Sequence, residues 1–90
     1  MFTHGFVGSC TFYFKTLARL ANDYNLVMFD NCGRGMNTRL ENCSGLESSE
    51  AAEKWLIDFM IKAIDALDLP EKFVMLGHSY GAYLCTLYAG

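Results

Sequence analysis

The sequence predicts an α/β fold in which a parallel sheet lies between layers of helices, as a three-layer sandwich. Short apolar stretches alternate with stretches of helical periodicity in the order strand, helix, strand, helix, strand, helix. This alternation is typical of parallel sheets that are covered on both faces. Of the 90 residues, 52% are apolar and only 19% are charged, which excludes a disordered chain. The length allows one domain at most.

The first strand and the first helix are predicted at residues 2–4 and 11–22. Thr11 is the expected N-cap of this helix. The apolar residues of the helix share one face: Phe14, Leu17, Ala18 and Ala21. The second strand, at residues 25–30, is a short apolar run between turn residues, which is the pattern of a strand buried on both faces.

The strongest helical signal lies at residues 49–67, after a loop that begins at Asn31. Ser48 or Ser49 is the expected cap, and Pro70 prevents the helix from continuing. Apolar residues recur in it at steps of three and four: Ala52, Trp55, Leu56, Phe59, Ala63, Ile64 and Leu67.

The last strand and the last helix are predicted at residues 73–76 and 80–89. The strand is another short apolar run, so we expect it to be buried. The helix is apolar almost all round, which predicts a central position.

Composition and cysteine spacing exclude several classes of protein. The net charge is −3, so the chain lacks the basic surface of a nucleic-acid-binding protein. No apolar stretch approaches the roughly 18 residues that span a bilayer, and the first residues do not resemble a signal peptide. Without Cys-x-x-Cys spacing, neither a zinc ribbon nor a thioredoxin motif is available. We expect free thiols in a reducing compartment, at Cys10, Cys32, Cys43 and Cys85.

The pentapeptide Gly77-His78-Ser79-Tyr80-Gly81 lies between the last predicted strand and the last predicted helix. A Gly-x-Ser-x-Gly sequence in this position predicts a nucleophile elbow, a strained turn that raises the serine hydroxyl above the sheet. Side chains at Gly77 and Gly81 would collide with neighbouring backbone. Because the N–H of Tyr80 lies at a helix N-terminus, it is expected to face an oxyanion. We therefore predict that Ser79 is the nucleophile and has a positive φ.

A second glycine-containing loop, His4-Gly5-Phe6-Val7-Gly8, follows the first strand. Its glycines allow the backbone to turn back toward the serine. The Phe6 N–H is therefore predicted to be the second oxyanion donor, while His4 and Gly5 form part of the structural motif.

The stretch from Asp30 to Gly35 contains the start of a dinucleotide-binding pattern. Thr38 stands where the third glycine of that pattern belongs, and no helix follows directly. A structural turn after the second strand is the better interpretation.

Two histidines are candidate bases within the chain. His4 and Asp30 follow strands that would neighbour the strand before Ser79, so the three residues could be combined as a triad. A base must come within about 2.6–3.2 Å of the serine hydroxyl. His78 is closer in sequence, but adjacent side chains at such a turn point apart. The sequence favours neither histidine.

Together these motifs resemble the N-terminal part of α/β-hydrolase fold enzymes. The resemblance rests on residues 4–8, on Phe29-Asp30 with Gly33 and Gly35, and on residues 77–81. Residues 53–59 further resemble a subgroup that contains lysophospholipases, N-acylphosphatidylethanolamine lipases and lipid-droplet lipase coactivators. The family often has Ser where this chain has Asn37, so that loop is expected to differ. The resemblance also places the first strand between the other two and makes Asp30 a loop-bracing carboxylate.

The resemblance implies a serine hydrolase that acts on carboxylic esters, with lipids or lysophospholipids as the expected substrates. Some members of the subgroup have Asn in place of the nucleophile and are inactive as hydrolases, so Ser79 favours an active enzyme. A lysolipid acyltransferase and a non-catalytic coactivator or binding protein are the alternatives. The His-x-x-x-x-Asp motif that accompanies acyl transfer in some members is absent, because Ser9 and Tyr83 stand where it requires Asp.

In this fold an acid and a histidine follow the serine in sequence, yet no Asp, Glu or His follows Ser79. Residues 1–90 are therefore expected to form a partial domain, from the oxyanion loop to the elbow, that lacks the acid, the histidine and the lid and is inactive alone. No cofactor and no metal are implied. The expected partners are an ester or lipid substrate and no nucleic acid, in the cytoplasm, with peripheral contact to a membrane or lipid droplet in the full-length protein.

Overall fold

The computed structural model describes residues 1–39 and 47–90. Within these ranges three short strands form one parallel sheet: β1 (Phe2–Thr3), β2 (Met28–Phe29) and β3 (Leu76–Gly77). The order is β2, β1, β3. Phe2 lies opposite Met28 on one side and Leu76 on the other. The parallel sheet and the central position of its first strand are confirmed.

The helices follow the predicted order. A 3-10 helix (Cys10–Tyr13) leads into α1 (Phe14–Leu20), and α2 (Ser49–Ala66) and α3 (Tyr80–Ala89) follow. α3 has the predicted bounds, whereas α2 ends one residue early. None of the helices in the described ranges is long and apolar enough to cross a membrane.

Apolar side chains pack on both faces of the sheet. Phe2 packs with Cys10 and Leu17 on the α1 side. Phe29 packs with residues of α2 and α3: Met60, Ile64 and Leu84. Phe2 lies opposite Met28, the residue before Phe29. Because successive residues of a strand point to opposite faces of the sheet, the side chains of Phe2 and Phe29 lie on opposite faces. The two clusters therefore lie on opposite sides of the sheet, which confirms the three layers.

The first helix differs from the prediction at both ends. Ser9, and not Thr11, is the N-cap of the 3-10 helix, and its hydroxyl bonds the Thr11 Oγ1 at 2.6 Å instead of capping an N–H. The helix ends at Leu20 rather than at residue 22. Only Leu17 of the predicted apolar face is buried, because no described element covers the outer side of this layer.

The second helix begins as predicted and ends for a different reason. The Ser48 Oγ accepts the Ala51 N–H at 3.1 Å. Past the last helical residue, Asp68 has a φ of 48°, and this left-handed residue ends the helix before Pro70 is reached. Met60, which the predicted apolar face omitted, is fully buried, whereas Leu67 is 43% exposed.

The second and third strands are shorter than predicted, and the burial predicted for residues 73–76 holds on one face only. The Met1 amino group donates to the Val74 carbonyl at 2.6 Å, and the Leu76 N–H donates to the Met1 carbonyl at 2.8 Å. Phe73 and Met75 pack against the cluster of α2 and α3, whereas Val74 and Leu76 are 76% and 47% exposed. Alternate residues of a strand point to opposite faces, and no described element covers the face that carries Val74 and Leu76. Because the outer side of α3 is likewise uncovered by the described residues, this helix buries only Gly81 and Leu84, contrary to the predicted central position.

The thiols of Cys10 and Cys85 are free, as expected. Cys43 lies outside the described residues.

Candidate active site

Ser79 lies in a tight turn between β3 and α3. It is the N-cap of α3, with φ 54° and ψ −118°, and this left-handed conformation is strained for a serine. The positive φ and the start of the helix at Tyr80 agree with the prediction, and the strand ends at Gly77, one residue later than predicted. The Ser79 side chain makes no capping hydrogen bond and the residue is exposed, so its hydroxyl is available to a ligand.

Two glycines allow this turn to lie against β1. A Cβ on Gly81 would lie 2.7 Å from the His4 carbonyl oxygen and closer still to that of Thr3, and a Cβ on Gly77 would lie 2.5 Å from the Ala82 nitrogen. Carbon atoms do not approach backbone this closely. The predicted steric reason for Gly77 and Gly81 is therefore confirmed.

The loop after β1 reaches the Ser79 turn. A Cβ on Gly5 would lie 3.5 Å from the Ser79 Cβ. The rings of Phe6 and Tyr80 meet edge to face, with centroids 6.1 Å apart. The two segments that the sequence predicts to be neighbours are therefore in contact at the carboxyl end of the sheet.

Each of these segments carries main-chain N–H groups without an acceptor among the described residues. The Gly8 N–H donates to the Gly5 carbonyl and the Gly81 N–H donates to the His78 carbonyl. The N–H groups of Phe6 and Tyr80 donate to no acceptor within residues 1–39 and 47–90. Unsatisfied amides beside an exposed hydroxyl can bind an anionic oxygen.

Both ring nitrogens of His4 are engaged by main-chain groups. His4 is fully buried, its Nδ1 lies 2.7 Å from the Gly5 carbonyl oxygen, and its Nε2 accepts the Asn31 N–H at 3.0 Å. One neutral tautomer, protonated on Nδ1, satisfies both contacts. His4 therefore joins the loop after β1 to the loop after β2, and this geometry argues against its use as a base for Ser79.

Asn31 completes this junction. Its side-chain amide donates to the His4 carbonyl at 3.2 Å, and its Oδ1 accepts the Thr3 hydroxyl at 3.0 Å. The sequence analysis did not single out Asn31. A polar residue directly after a buried strand was the available signal, because such a residue must find hydrogen bonds inside the fold.

Asp30 braces the loop after β2. Its two carboxylate oxygens accept the N–H groups of Cys10 at 2.7 Å and of Met36 at 2.9 Å. Burial acts to raise the pKa of Asp30, but these amide hydrogen bonds outweigh it and hold the pKa below its ordinary value. Gly35 has a φ of 53°, and a Cβ there would overlap the Asp30 carboxylate. The geometry agrees with the loop-bracing role that the resemblance implies.

His78 shares a hydrogen bond of 2.7 Å between its Nδ1 and the hydroxyl of Tyr13. The Tyr13 ring also packs edge to face on Phe2, at 4.9 Å between centroids, so this contact lies toward the α1 side of the sheet. No hydrogen bond joins His78 to Ser79 within the described ranges. This arrangement agrees with the expectation that adjacent side chains of the turn point apart.

Comparison with known proteins decides the family. The family model described as "alpha/beta hydrolase fold" matches residues 1–90. The chain belongs to the alpha/beta hydrolase fold family.

Three relatives within this group are similar over nearly all of the chain. The "Probable 1-acylglycerol-3-phosphate O-acyltransferase" of Oryza sativa subsp. japonica and the "1-acylglycerol-3-phosphate O-acyltransferase" of Arabidopsis thaliana are each 33% identical over 87 residues, which is 96% of this chain and 20% of the relative. The "Abhydrolase domain-containing protein abhd-5.2" of Caenorhabditis elegans is 35% identical over 86 residues, 96% of this chain and 18% of the relative. The chain spans about a fifth of the length of these relatives. No solved structure matches it significantly.

In this alpha/beta hydrolase chain the structure also brings two charged residues to the site that the sequence analysis did not assign to it. The Arg34 guanidinium carbon lies 5.1 Å from the centroid of the Phe6 ring. The Glu53 carboxylate accepts the Tyr83 hydroxyl, and the Tyr83 ring stacks on Tyr80 at 6.1 Å. Desolvation and then the charge of Glu53 raise the pKa of Tyr80. The signal for Arg34 was its position just after β2, because loops at the carboxyl ends of parallel strands meet at one edge.

The described residues contain no group of three or more His, Cys, Asp or Glu arranged to hold a metal ion. That the chemistry needs no metal and no cofactor stays a prediction.

Proposed function

We propose that the protein hydrolyses carboxylic esters of lipids, with Ser79 as the nucleophile of a nucleophile elbow. The observation that carries this proposal is the left-handed turn that exposes the Ser79 hydroxyl between β3 and α3. The two unpaired amides of Phe6 and Tyr80 on the segments beside it support the same proposal.

The proposed reaction has two steps. The Ser79 oxygen attacks the ester carbonyl and its proton passes to a base, while the Phe6 and Tyr80 N–H groups hold the negative oxygen of the tetrahedral intermediate. The carbon–oxygen bond to the alcohol then breaks, the base protonates that alcohol, and an acyl-enzyme remains. Water or another alcohol attacks the acyl-enzyme and releases Ser79 in the same way.

The base and the acid are proposed to lie in a further part of the complete protein. Both nitrogens of His4 are bound to main-chain groups, and His78 is bound to Tyr13. The greater length of the relatives, of which this chain matches 20% or less, is consistent with this placement.

Acyl transfer to a lysolipid is the second candidate for the deacylation step. Two relatives are named for O-acyl transfer to 1-acylglycerol 3-phosphate, which favours it over the coactivator alternative. Product analysis separates the outcomes. Acylated lysolipid formed when lysophosphatidic acid is added as acceptor supports transfer, whereas free fatty acid alone supports hydrolysis.

A fluorophosphonate probe tests the proposal on the complete protein. We expect one labelled serine, Ser79, identified by peptide mass spectrometry, with labelling lost in Ser79→Ala and retained in Ser49→Ala, which removes an exposed hydroxyl on α2. Ester turnover in Ser79→Ala should fall by about 10⁴ to 10⁶. A folded protein that is never labelled at Ser79 would instead be a non-catalytic member of the family.

A further inference from the structure

We infer that Arg34 recognises a phosphate monoester carried by the lipid ester that reacts at Ser79. The inference rests on the proposed function, and its first support is the position of Arg34 relative to Phe6 and Tyr80. Arg34 lies in the loop after β2, with its guanidinium carbon 5.1 Å from the Phe6 ring centroid. The Phe6 ring contacts the ring of Tyr80, which directly follows Ser79. Arg34 thus contacts Phe6, and Phe6 contacts Tyr80, the first residue of α3.

The charge of Arg34 is not neutralised by the described residues. Within residues 1–39 and 47–90, Lys54 pairs with Asp58 and no arginine lies within ion-pair distance of a carboxylate. The His4 Nε2, which accepts the Asn31 N–H, lies 3.5 Å from the Asp30 Oδ1. Arg34 is exposed, and a guanidinium stays charged throughout the physiological pH range. Arg34 therefore presents a positive charge beside Phe6, whose N–H is the second proposed oxyanion donor.

The nearby carboxylates have other partners. Asp30 is held by the amides of Cys10 and Met36, and Glu53 accepts the Tyr83 hydroxyl. Neither carboxylate forms an ion pair with Arg34.

The loop fixes the position from which the guanidinium extends. The Arg34 N–H donates to the Asn31 carbonyl at 2.9 Å, and the Asn37 N–H donates to the Arg34 carbonyl at 2.9 Å. Stacking on Phe6 leaves the edge of the planar guanidinium to bind oxygen atoms in pairs, which is the geometry that phosphate accepts. A phosphate monoester offers several anionic oxygens for such paired hydrogen bonds, so it is the ligand class that fits this guanidinium.

Apolar surface lies beside this charge. Phe6 and Val7 are 64% and 74% exposed, so an alkyl chain bound there would remove apolar surface from water. A positive group next to exposed apolar side chains and a nucleophile matches an amphiphile with an acyl ester and a phosphate.

Binding is measured first, on the complete protein carrying Ser79→Ala so that no turnover occurs. The probes are 1-oleoyl lysophosphatidic acid below its critical micelle concentration, 1-oleoylglycerol, and glycerol 3-phosphate. We expect Arg34→Gln to weaken binding of lysophosphatidic acid about 10-fold, Arg34→Lys to recover part of this loss, and Arg19→Gln on α1 to match the parent. Lysophosphatidic acid should bind more tightly than either other probe. Equal loss for lysophosphatidic acid and 1-oleoylglycerol, or equal binding of glycerol 3-phosphate and lysophosphatidic acid, would overturn the inference.

Kinetics of the protein with Ser79 present give the second measurement. In Arg34→Gln the ratio of kcat/KM for lysophosphatidic acid to that for 1-oleoylglycerol should fall about 10-fold, mainly through KM, because the phosphate is remote from the reacting carbonyl. Turnover with an unchanged ratio refutes the inference and leaves the proposed function intact. Arg34-dependent binding without any Ser79-dependent turnover refutes the proposed function and leaves phosphate recognition by Arg34 standing.

Discussion

Among single residues, Gly81 is where α3 comes closest to β1. In most helices a change from Gly to Ala stabilises the fold by about 1 kcal/mol. At Gly81 the new methyl group would overlap the carbonyl oxygens of Thr3 and His4, so we predict that Gly81→Ala destabilises the complete protein by about 1–3 kcal/mol. Denaturant unfolding measures the change. Gly90→Ala, with only the Thr86 carbonyl at 3.4 Å, is the control; an equally stable Gly81→Ala protein would show that the two elements are not in this contact.

The Asp30 carboxylate predicts a pH dependence of stability. Its pKa in the folded protein is lowered, whereas an unfolded Asp titrates near about 3.9. The contribution of the carboxylate is therefore complete above the unfolded value and is lost as pH falls through the lower folded value. We expect Asp30→Asn to destabilise the protein by about 1–3 kcal/mol at pH 6, and the difference from the parent to shrink toward pH 3.

Urea unfolding at several pH values between 6 and 3 measures this difference. Asp65→Asn, on the exposed side of α2, controls for the removal of one negative charge. A difference that stays constant over the whole range would mean that the Asp30 carboxylate is not the group that titrates.

At the scale of elements, the N-terminus of α2 depends on one hydroxyl. The Ser48 Oγ accepts the Ala51 N–H, whereas the Ser49 hydroxyl donates to the Glu50 carboxylate. We predict that Ser48→Ala lowers the unfolding free energy by about 1 kcal/mol and that Ser49→Ala changes it by less than half as much. Thermal unfolding of the two matched variants checks this. Equal effects would show that the cap is shared between the two serines.

The elements that could be predicted from the sequence are those with strong local signals. α3 and the start of α2 agree with the prediction because a cap or a glycine-bounded turn fixes each of them. The end of α2 was predicted incorrectly, because the left-handed conformation of Asp68 has no sequence signal as clear as that of Pro70. The predicted burial failed for Val74 and Leu76, because apolar composition does not reveal whether another element covers each face of a strand.

The part of the site that could be predicted from the sequence is the pentapeptide at residues 77–81. Ser79, Gly77 and Gly81 have the predicted conformation and contacts. The tautomer of His4, which Asn31 helps to set, and the stacking of Arg34 on Phe6 depend on contacts between loops far apart in sequence. Spacing along the chain contains no information on such contacts.

At the scale of the whole molecule, no described strand pairs with the outer side of β3. Val74 and Leu76 are exposed on β3, and bare strand edges favour association between chains. We predict that residues 1–90 expressed alone bind a dye specific for exposed apolar surface and show no Ser79-dependent hydrolysis of p-nitrophenyl esters. The chemical reason is that His4 and His78 have other partners.

The assay compares this chain with its Ser79→Ala variant, and we expect equal rates. Cooperative unfolding together with turnover that only Ser79→Ala abolishes would show that the chain carries its own base. The assignment of the acid and the base to another part of the protein would then be wrong.

Cys10 makes the loop after β1 observable without any added reporter. Its side chain is 4% exposed, and burial, then the hydrogen bond and the charge of Asp30, raise the pKa of its thiol to about 12. Only a thiolate reacts with an alkylating reagent at a useful rate, so a closed Cys10 is inert and each alkylation records a local opening. The rate of Cys10 alkylation in native buffer therefore measures how often the segment beside Ser79 separates from Asp30. A bound ligand that holds this segment in place should lower that rate.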